Sequence, residues 1–535
     1  MKRKFISLLI ALSLVGWARG QNEDPRESCL PDGITFTTQG QIDDFQINYP
    51  NCTEVEGDVE INGYYDNITN LNGLNILTSI GGSLHIQRTD LQNMGGLESL
   101  YSIGGDLIIG GNYSLTSLEG LEGLNSIAGN MIIGSHFSTA NPVLLSLTGV
   151  EQLTSVGGNI DISHNDALTS LTGLEGLSDI GGNMGIHDNN GLTSLNGLVG
   201  LTYIGGDVDI SSNNVLTELT GLDGSGKNGV NLFIEGSLDV NENDALTSLA
   251  GLENVTSIGG DLTVSNNDSL TTLTGLENLS DIGGSIFVFR NPSLINLTGM
   301  NNLTVIGGGL SVTGNDTLMN LIGLEGVTSI LGDVLIGGNS SLISLTGLEG
   351  LTAIHGNLSI GGQLSTANPS LVSLTALGEL TSIGGDLDIS YNHGLTKLSG
   401  LESLTSIGGS MMIGGNNSLT SLAGLQGLDS VQGSIHIGGH FTTANPVLNS
   451  LTGLEGLACI GGDLDISYNN ALSSLTGLDN ISFISGKISI MVNASLTSLT
   501  GLDNITSIEG DLAIYRNDAL VILMGLSSVA YIGGD

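Results

Sequence analysis

Basic residues are almost missing from this chain. Its 535 residues carry 11 Lys and Arg against 53 Asp and Glu. That balance repels nucleic acid and anionic membrane surfaces, so neither is expected as a partner. Tryptophan is scarcer still: the single one, Trp17, lies near the N-terminus. Long apolar runs are confined to the same place. Lys2, Arg3 and Lys4 precede the apolar stretch Phe5–Trp17, and Ala18-Arg19-Gly20 offers small residues for cleavage before Gln21. The stretch is shorter than the roughly 20 residues a membrane-spanning helix needs. Residues 1–20 therefore read as a secretory signal peptide, with no transmembrane segment in the mature chain. Cleavage removes four of the 11 basic residues, no acidic one and the Trp, leaving a net charge of −46. A Trp-lined sugar groove is thereby excluded.

What the chain does have is self-similarity. The second Gly of an Ile-Gly-Gly phrase returns at Gly82, Gly105, Gly129 and Gly158 and onward to Gly510 and Gly534, with Gly57 as the founding copy. Most steps are 24 residues. A repeat of this length is one supersecondary unit that buries its apolar face only by stacking on its neighbours. Within it, Gly385-Asp386-Leu387-Asp388-Ile389-Ser390 alternates polar and apolar, as a half-buried strand does. Leu387 and Ile389 should face the core and Asp386 and Asp388 the solvent. Leu395, Leu398 and Leu401 mark further inward positions of the same coil. The expected fold is an all-β, right-handed β-solenoid of about twenty 24-residue coils over 57–535, with little helix. An N-terminal cap precedes it over 21–56.

Seven residues after the marker Gly stands an Asn, as at Asn112, Asn165, Asn213, Asn267 and Asn517. Stacked coils would bring these into one column, where they can satisfy backbone groups at a corner. The N-x-[ST] matches at Asn254, Asn278, Asn302 and Asn504 follow from the repeat, and signify glycosylation only in a eukaryotic host. Cysteine is rare, at three residues. Cys29 and Cys52 flank the first repeat in an oxidising compartment, so a disulfide between them is expected. Cys459 stands where small Ser usually sits and reads as a small buried side chain.

Cys52-Thr53-Glu54-Val55-Glu56-Gly57-Asp58-Val59-Glu60-Ile61 resembles the opening phrase of the receptor L-domain, a leucine-rich β-helical ligand-binding module. Later copies such as Leu380-Thr381-Ser382-Ile383-Gly384-Gly385-Asp386-Leu387 resemble the L-domain-like repeats of secreted microbial surface proteins. The resemblance covers about residues 50–535. It implies the fold and an extracellular binding role. Only scaffold positions match, so it supplies no binding residue.

Function is sought where the repeat breaks. Three steps are 29 residues long, and their loops run from Gly134 to Pro142, Gly361 to Pro369 and Gly438 to Pro446. They should project from one edge, offering His136, Phe137, Gln363, Leu364, His440 and Phe441 as partner contacts. Their His residues lie several coils apart, too far to share an ion. A further insertion, Asp223–Gly229, lacks the spacing of a phosphate loop and reads as plain loop. Outward pairs Asp207/Asp209, Asp386/Asp388 and Asp463/Asp465, with Asp239 one coil from Asp209, suggest a solvated acidic face; they are also able to hold Ca²⁺ weakly. An outward Thr column (Thr169, Thr193, Thr217, Thr247 and Thr271, then Thr396, Thr420 and Thr497) is interrupted by Ile295, Met319, Ile343 and Val521.

No nucleophile–base pattern appears, and neither a catalytic centre, a metal site nor a cofactor is expected, weak Ca²⁺ aside. The reading is a secreted or cell-surface, non-enzymatic binding or adhesion protein that presents its repeat surface to an extracellular protein or glycan. The alternatives are a structural extracellular spacer and, further off, a polysaccharide-active β-helix enzyme. The chain stops at Gly533-Gly534-Asp535, where a strand should open, which suggests truncation.

Overall fold

The computed structural model describes residues 27–134, 140–223, 231–439 and 443–535. The expected signal peptide lies outside them. Most coils contribute one short and one longer strand. Ser155–Val156 and Ile160–Ser163 form one such pair, and Asp179–Ile180 and Met184–His187 the next. Equivalent strands pair in parallel from coil to coil, Val156 with Ile180 and Ile160 with Met184. Two parallel sheets therefore run along the molecule. The third side holds single backbone hydrogen bonds, such as Thr271 N to Thr247 O and Ile295 N to Thr271 O, both 3.1 Å. The fold is an all-β parallel solenoid of about 20 turns, about 24 residues apart, with almost no helix.

Alternation fixes the strands. Leu387 and Ile389 are fully buried while Asp386 is exposed and Asp388 half-buried. Leu395, Leu398 and Leu401 are equally buried, so Leu-x-x-Leu spacing feeds one continuous core. Two corners need a left-handed backbone. One follows the longer strand, where φ is 58° at His164, 56° at Asp188 and 71° at Gly338. The other is glycine in nearly all described coils: at Gly173 φ is 118°, and an added Cβ would sit 2.1 Å from Leu147 O, while the coil that carries Ala376 there turns through a 3-10 segment, Thr375–Leu377, instead.

The N-terminal end is closed by two short helices, Gln39–Asp43 and Phe45–Asn48. They bury Ile42 and Phe45, and Phe45 meets Phe36 edge-on at 5.8 Å between ring centroids. Cys29 and Cys52 form the expected disulfide, with Cα atoms 5.7 Å apart. It joins two strands that already pair in parallel, Glu27–Cys29 and Cys52–Val55. The expectation for Cys459 fails: it is a free, exposed thiol. Its neighbour Ile460 takes the inward position of the short strand, so strand alternation turns Cys459 outward beside Ser430 and Phe483.

Candidate functional site

The outward surface is largely occupied by its own backbone. The Asn column is continuous from Asn112 to Asn517, because Asn141, Asn368 and Asn445 of the three long coils also fall into it. At a typical rung, Asn213 Nδ2 donates to Ile186 O (2.8 Å) and Ser211 O (3.0 Å), and Oδ1 accepts from Asn189 N at 3.1 Å. The expected structural role is the one seen.

A second column was not read from the sequence. The residue after the marker Gly is Asp, Asn or Ser in most coils, and its side chain accepts the N–H of the same position one coil later. Asn130 N donates to Asp106 Oδ1 (2.7 Å), Asp207 N to Asn183 Oδ1 (2.8 Å) and Asp261 N to Ser237 Oγ (3.0 Å). The three residue types are interchangeable because each offers a short-reach oxygen. The first carboxylate of each D-x-D pair is thus a backbone acceptor. The second can be engaged too: Ser390 Oγ donates to Asp388 and Ser467 Oγ to Asp465. Burial pushes the Asp388 carboxyl up to about 6, the Ser390 hydrogen bond opposing and Asp386 adding to it. Asp209 and Asp239 are direct neighbours in register, and burial raises Asp239. A third set caps the glycine corner, as where Gly173 N donates to Glu175 Oε2 at 2.9 Å. Even the N-x-[ST] asparagines are engaged, Asn278 Nδ2 donating to Glu253 O at 2.8 Å. Thr hydroxyls of the outward column donate to the preceding coil, as Thr193 Oγ1 does to Thr169 O at 3.1 Å.

Against this background one region stands out. At Gly309 the Asp/Asn/Ser column loses its side chain, and a depression of about 470 Å³ opens there, lined by Phe287, Ser311, Asp333 and Leu335. On the same strand, Ile286–Phe289, Phe289 borders a second depression of about 410 Å³ with Arg290, Gly314, Gly338 and Thr366. Two Phe, one Leu and an exposed Arg thus face outward together in a chain with 4% aromatics and 11 basic residues. Beside them, four successive coils replace outward Thr with Ile295, Met319, Ile343 and Val372, exposed by 41–53%. The signal was present in the sequence as four apolar residues breaking one column.

The second long loop meets this face. His136, Phe137, His440 and Phe441 lie outside the described residues, as does the Leu364 side chain. Gln363 is exposed at the start of a 3-10 turn, Leu364–Thr366. The loop folds back rather than standing free: Gly338 N donates to Thr366 O at 2.8 Å. A Cβ at Gly337 would lie 2.9 Å from that same oxygen. The third loop repeats the arrangement through Gly415 N and Thr443 O, again at 2.8 Å. A Gly-Gly pair in the preceding coil is therefore the seat of each of these two loops.

One histidine cluster also escaped the sequence reading. His164 and the pair His187-Asp188 occupy adjacent corners of neighbouring coils. His187 Nδ1 is 3.0 Å and His164 Nε2 3.9 Å from Asp188 Oδ2. The signal is a His-to-His spacing one short of the 24-residue period.

Residues 51–146 match the Receptor L domain family. No curated protein matches the chain. Solved structures similar to it include the TLR13–ssRNA13 complex, 16% identical over 89% of this chain and 85% of that one, with a TM-score of 0.30. A leucine-rich repeat protein from Bacteroides ovatus is 12% identical over 72% and 87%, with a TM-score of 0.20. CroV588, a circular leucine-rich repeat protein, is 13% identical over 90% and 98%, with a TM-score of 0.12. At these scores the fold rests on the strand pairing itself. Among the described residues no helix is long and apolar enough to cross a membrane.

Proposed function

We infer that this is a secreted or cell-surface, non-enzymatic protein that binds an extracellular protein or glycan on the outward face of its longer-strand sheet. The observation that carries the reading is the patch of Phe287, Phe289, Arg290 and Leu335. It forms where the self-satisfied polar columns give way to glycine depressions. Elsewhere the outward oxygens are largely used to hold coils together, which leaves few groups for chemistry. Half-buried apolar side chains that face outward supply the desolvation that recognition needs. The match to a receptor ligand-binding domain over residues 51–146 points the same way.

The test is a binding screen of the purified chain against extracellular proteins and glycans, beside the double variant Phe287→Ser/Phe289→Ser. A ligand retained by the parent and lost by the variant supports the reading. Equal binding by both removes this face from the function. Binding of nothing by either leaves the structural spacer as the better account.

A further inference from the structure

We propose that His164, His187 and Asp188 form a binding site for one divalent transition metal of the Zn²⁺ type. The three residues come from two adjacent coils, whose long strands pair Ser163 with His187. One ligand atom from each lies within 4.8 Å of the others. Tetrahedral ligands at Zn²⁺ bond lengths sit about 3.4 Å from one another, so only small side-chain rotations separate this arrangement from a bound one. Two imidazoles and one carboxylate suit Zn²⁺, Cu²⁺ or Ni²⁺ rather than Ca²⁺, which wants six or more oxygens.

The surroundings are those of a metal-binding histidine. The His187 ring lies over Gly185, where an added Cβ would meet its Cδ2 at 3.5 Å. The outward position below the ring is thus empty of side chain, and His187 Nε2 reaches to 3.5 Å from Asp161 Oδ1. Asp161 is itself steadied by Ser163 Oγ at 2.7 Å. A carboxylate facing the far ring nitrogen fixes the imidazole and raises its basicity toward a metal on the near one. Asp161 is therefore a positioning residue, and His187 Nδ1, His164 Nε2 and Asp188 Oδ2 are the ligands.

The backbone supports the same geometry. His164 and Asp188 both sit at the left-handed corner, with φ of 58° and 56°. That corner throws successive side chains to the same side, so a ligand on one coil meets a ligand on the next. His164 and Asp188 also line a depression of about 400 Å³ with Tyr113, Pro142, Asp166 and Asn190. Their side chains are a quarter to a half exposed, at 26% and 45%. A metal held here keeps a fourth position open to water or to an anionic group of a partner.

The experiment is calorimetric titration of the purified chain with Zn²⁺ in millimolar Ca²⁺, which occupies the general acidic surface. One Zn²⁺ per chain with micromolar affinity is expected. His164→Ala and His187→Ala should each weaken binding at least tenfold, and Asp161→Asn by a smaller factor. Co²⁺ in place of Zn²⁺ should give the visible absorption of a four-coordinate site. Far-UV circular dichroism checks that each variant keeps the sheet. Absence of saturable binding in the parent chain overturns the proposal. So does unchanged binding in the His164→Ala/His187→Ala double variant, which would assign the metal to the acidic surface.

Discussion

Replacing one mid-rod Asn of the buried column is the sharpest test of what holds the coils together. Asn267 is fully buried. Its Oδ1 accepts from Asn243 N at 3.0 Å, and its Nδ2 donates to Val240 O at 2.9 Å and to Asn291 Oδ1 at 3.3 Å. Asn267→Ala leaves the Asn243 N–H and the Val240 carbonyl without these partners, where water does not reach. Asn291 Oδ1 keeps a donor, the Asn267 N–H at 3.1 Å. One stranded backbone donor at about 1–3 kcal/mol, and one side-chain bond to a carbonyl that sits in the parallel ladder at about 0.5–1.5, place the cost at roughly 1.5–4.5 kcal/mol. In a stacked array that loss is local, because each coil touches only its neighbours. Native-state hydrogen exchange is therefore the assay, read separately for coils near residue 267 and for distant ones. Protection should fall in the coils carrying Asn243, Asn267 and Asn291 and hold elsewhere. Thr271→Ala is the control: it removes one exposed hydrogen bond, Thr271 Oγ1 to Thr247 O at 3.1 Å, and should cost less than about 0.5 kcal/mol. If Asn267→Ala and Thr271→Ala lose the same protection, the column is decoration and the argument from buried donors is wrong.

Other outcomes follow from the same geometry. Asp261 Oδ1 accepts from Ser285 N at 2.6 Å, so Asp261→Asn should be close to neutral in thermal unfolding and Asp261→Val should not. Because burial raises the folded pKa of Asp388 to about 6 from an ordinary 3.8, its carboxyl favours the fold while protonated. That favour is complete below about pH 4 and gone above about pH 6, so Asp388→Asn should gain about 1 kcal/mol over the parent at pH 7.5 and nothing at pH 4. A thiol reagent should label one cysteine per native chain, Cys459, and two more only after reduction; a silent native chain would return Cys459 to the interior. Gly337→Val should unseat the second loop, seen as faster proteolysis within residues 361–369 with the rest of the rod intact.

Period and alternation made the scaffold legible. Leu387 and Ile389 could be placed inward from the sequence because a strand has only two faces, and the Asn column because a constant offset must stack. Cys459 was misplaced by judging its size and not its parity: the residue before an inward Ile can only point out. The Asp/Asn/Ser column escaped because its identity changes from coil to coil while its function, a short-reach acceptor, does not. Acidity read as surface charge was in part hydrogen bonding, at Asp106 and Asp207 on one corner and Glu175 and Glu277 on another. The patch around Phe287 and Phe289 and the cluster at His164 and His187 are also cross-coil facts. Each needs register between residues about one period apart, which a residue-by-residue reading does not supply.

The two acceptor columns run in opposite senses. Asp207 accepts from Ser237, one coil ahead, while Asn213 accepts from Asn189, one coil behind. The molecule is therefore vectorial, like a filament with unlike ends. A coil that has just formed shows its Asp, Asn or Ser oxygen to chain not yet laid down, and its Asn column waits for the next side chain to reach back. Each turn is a template for its successor and is completed by it. Growth in the direction of synthesis, one coil at a time, is the assembly order such a rod favours, and whole periods can be gained or lost without disturbing the handover.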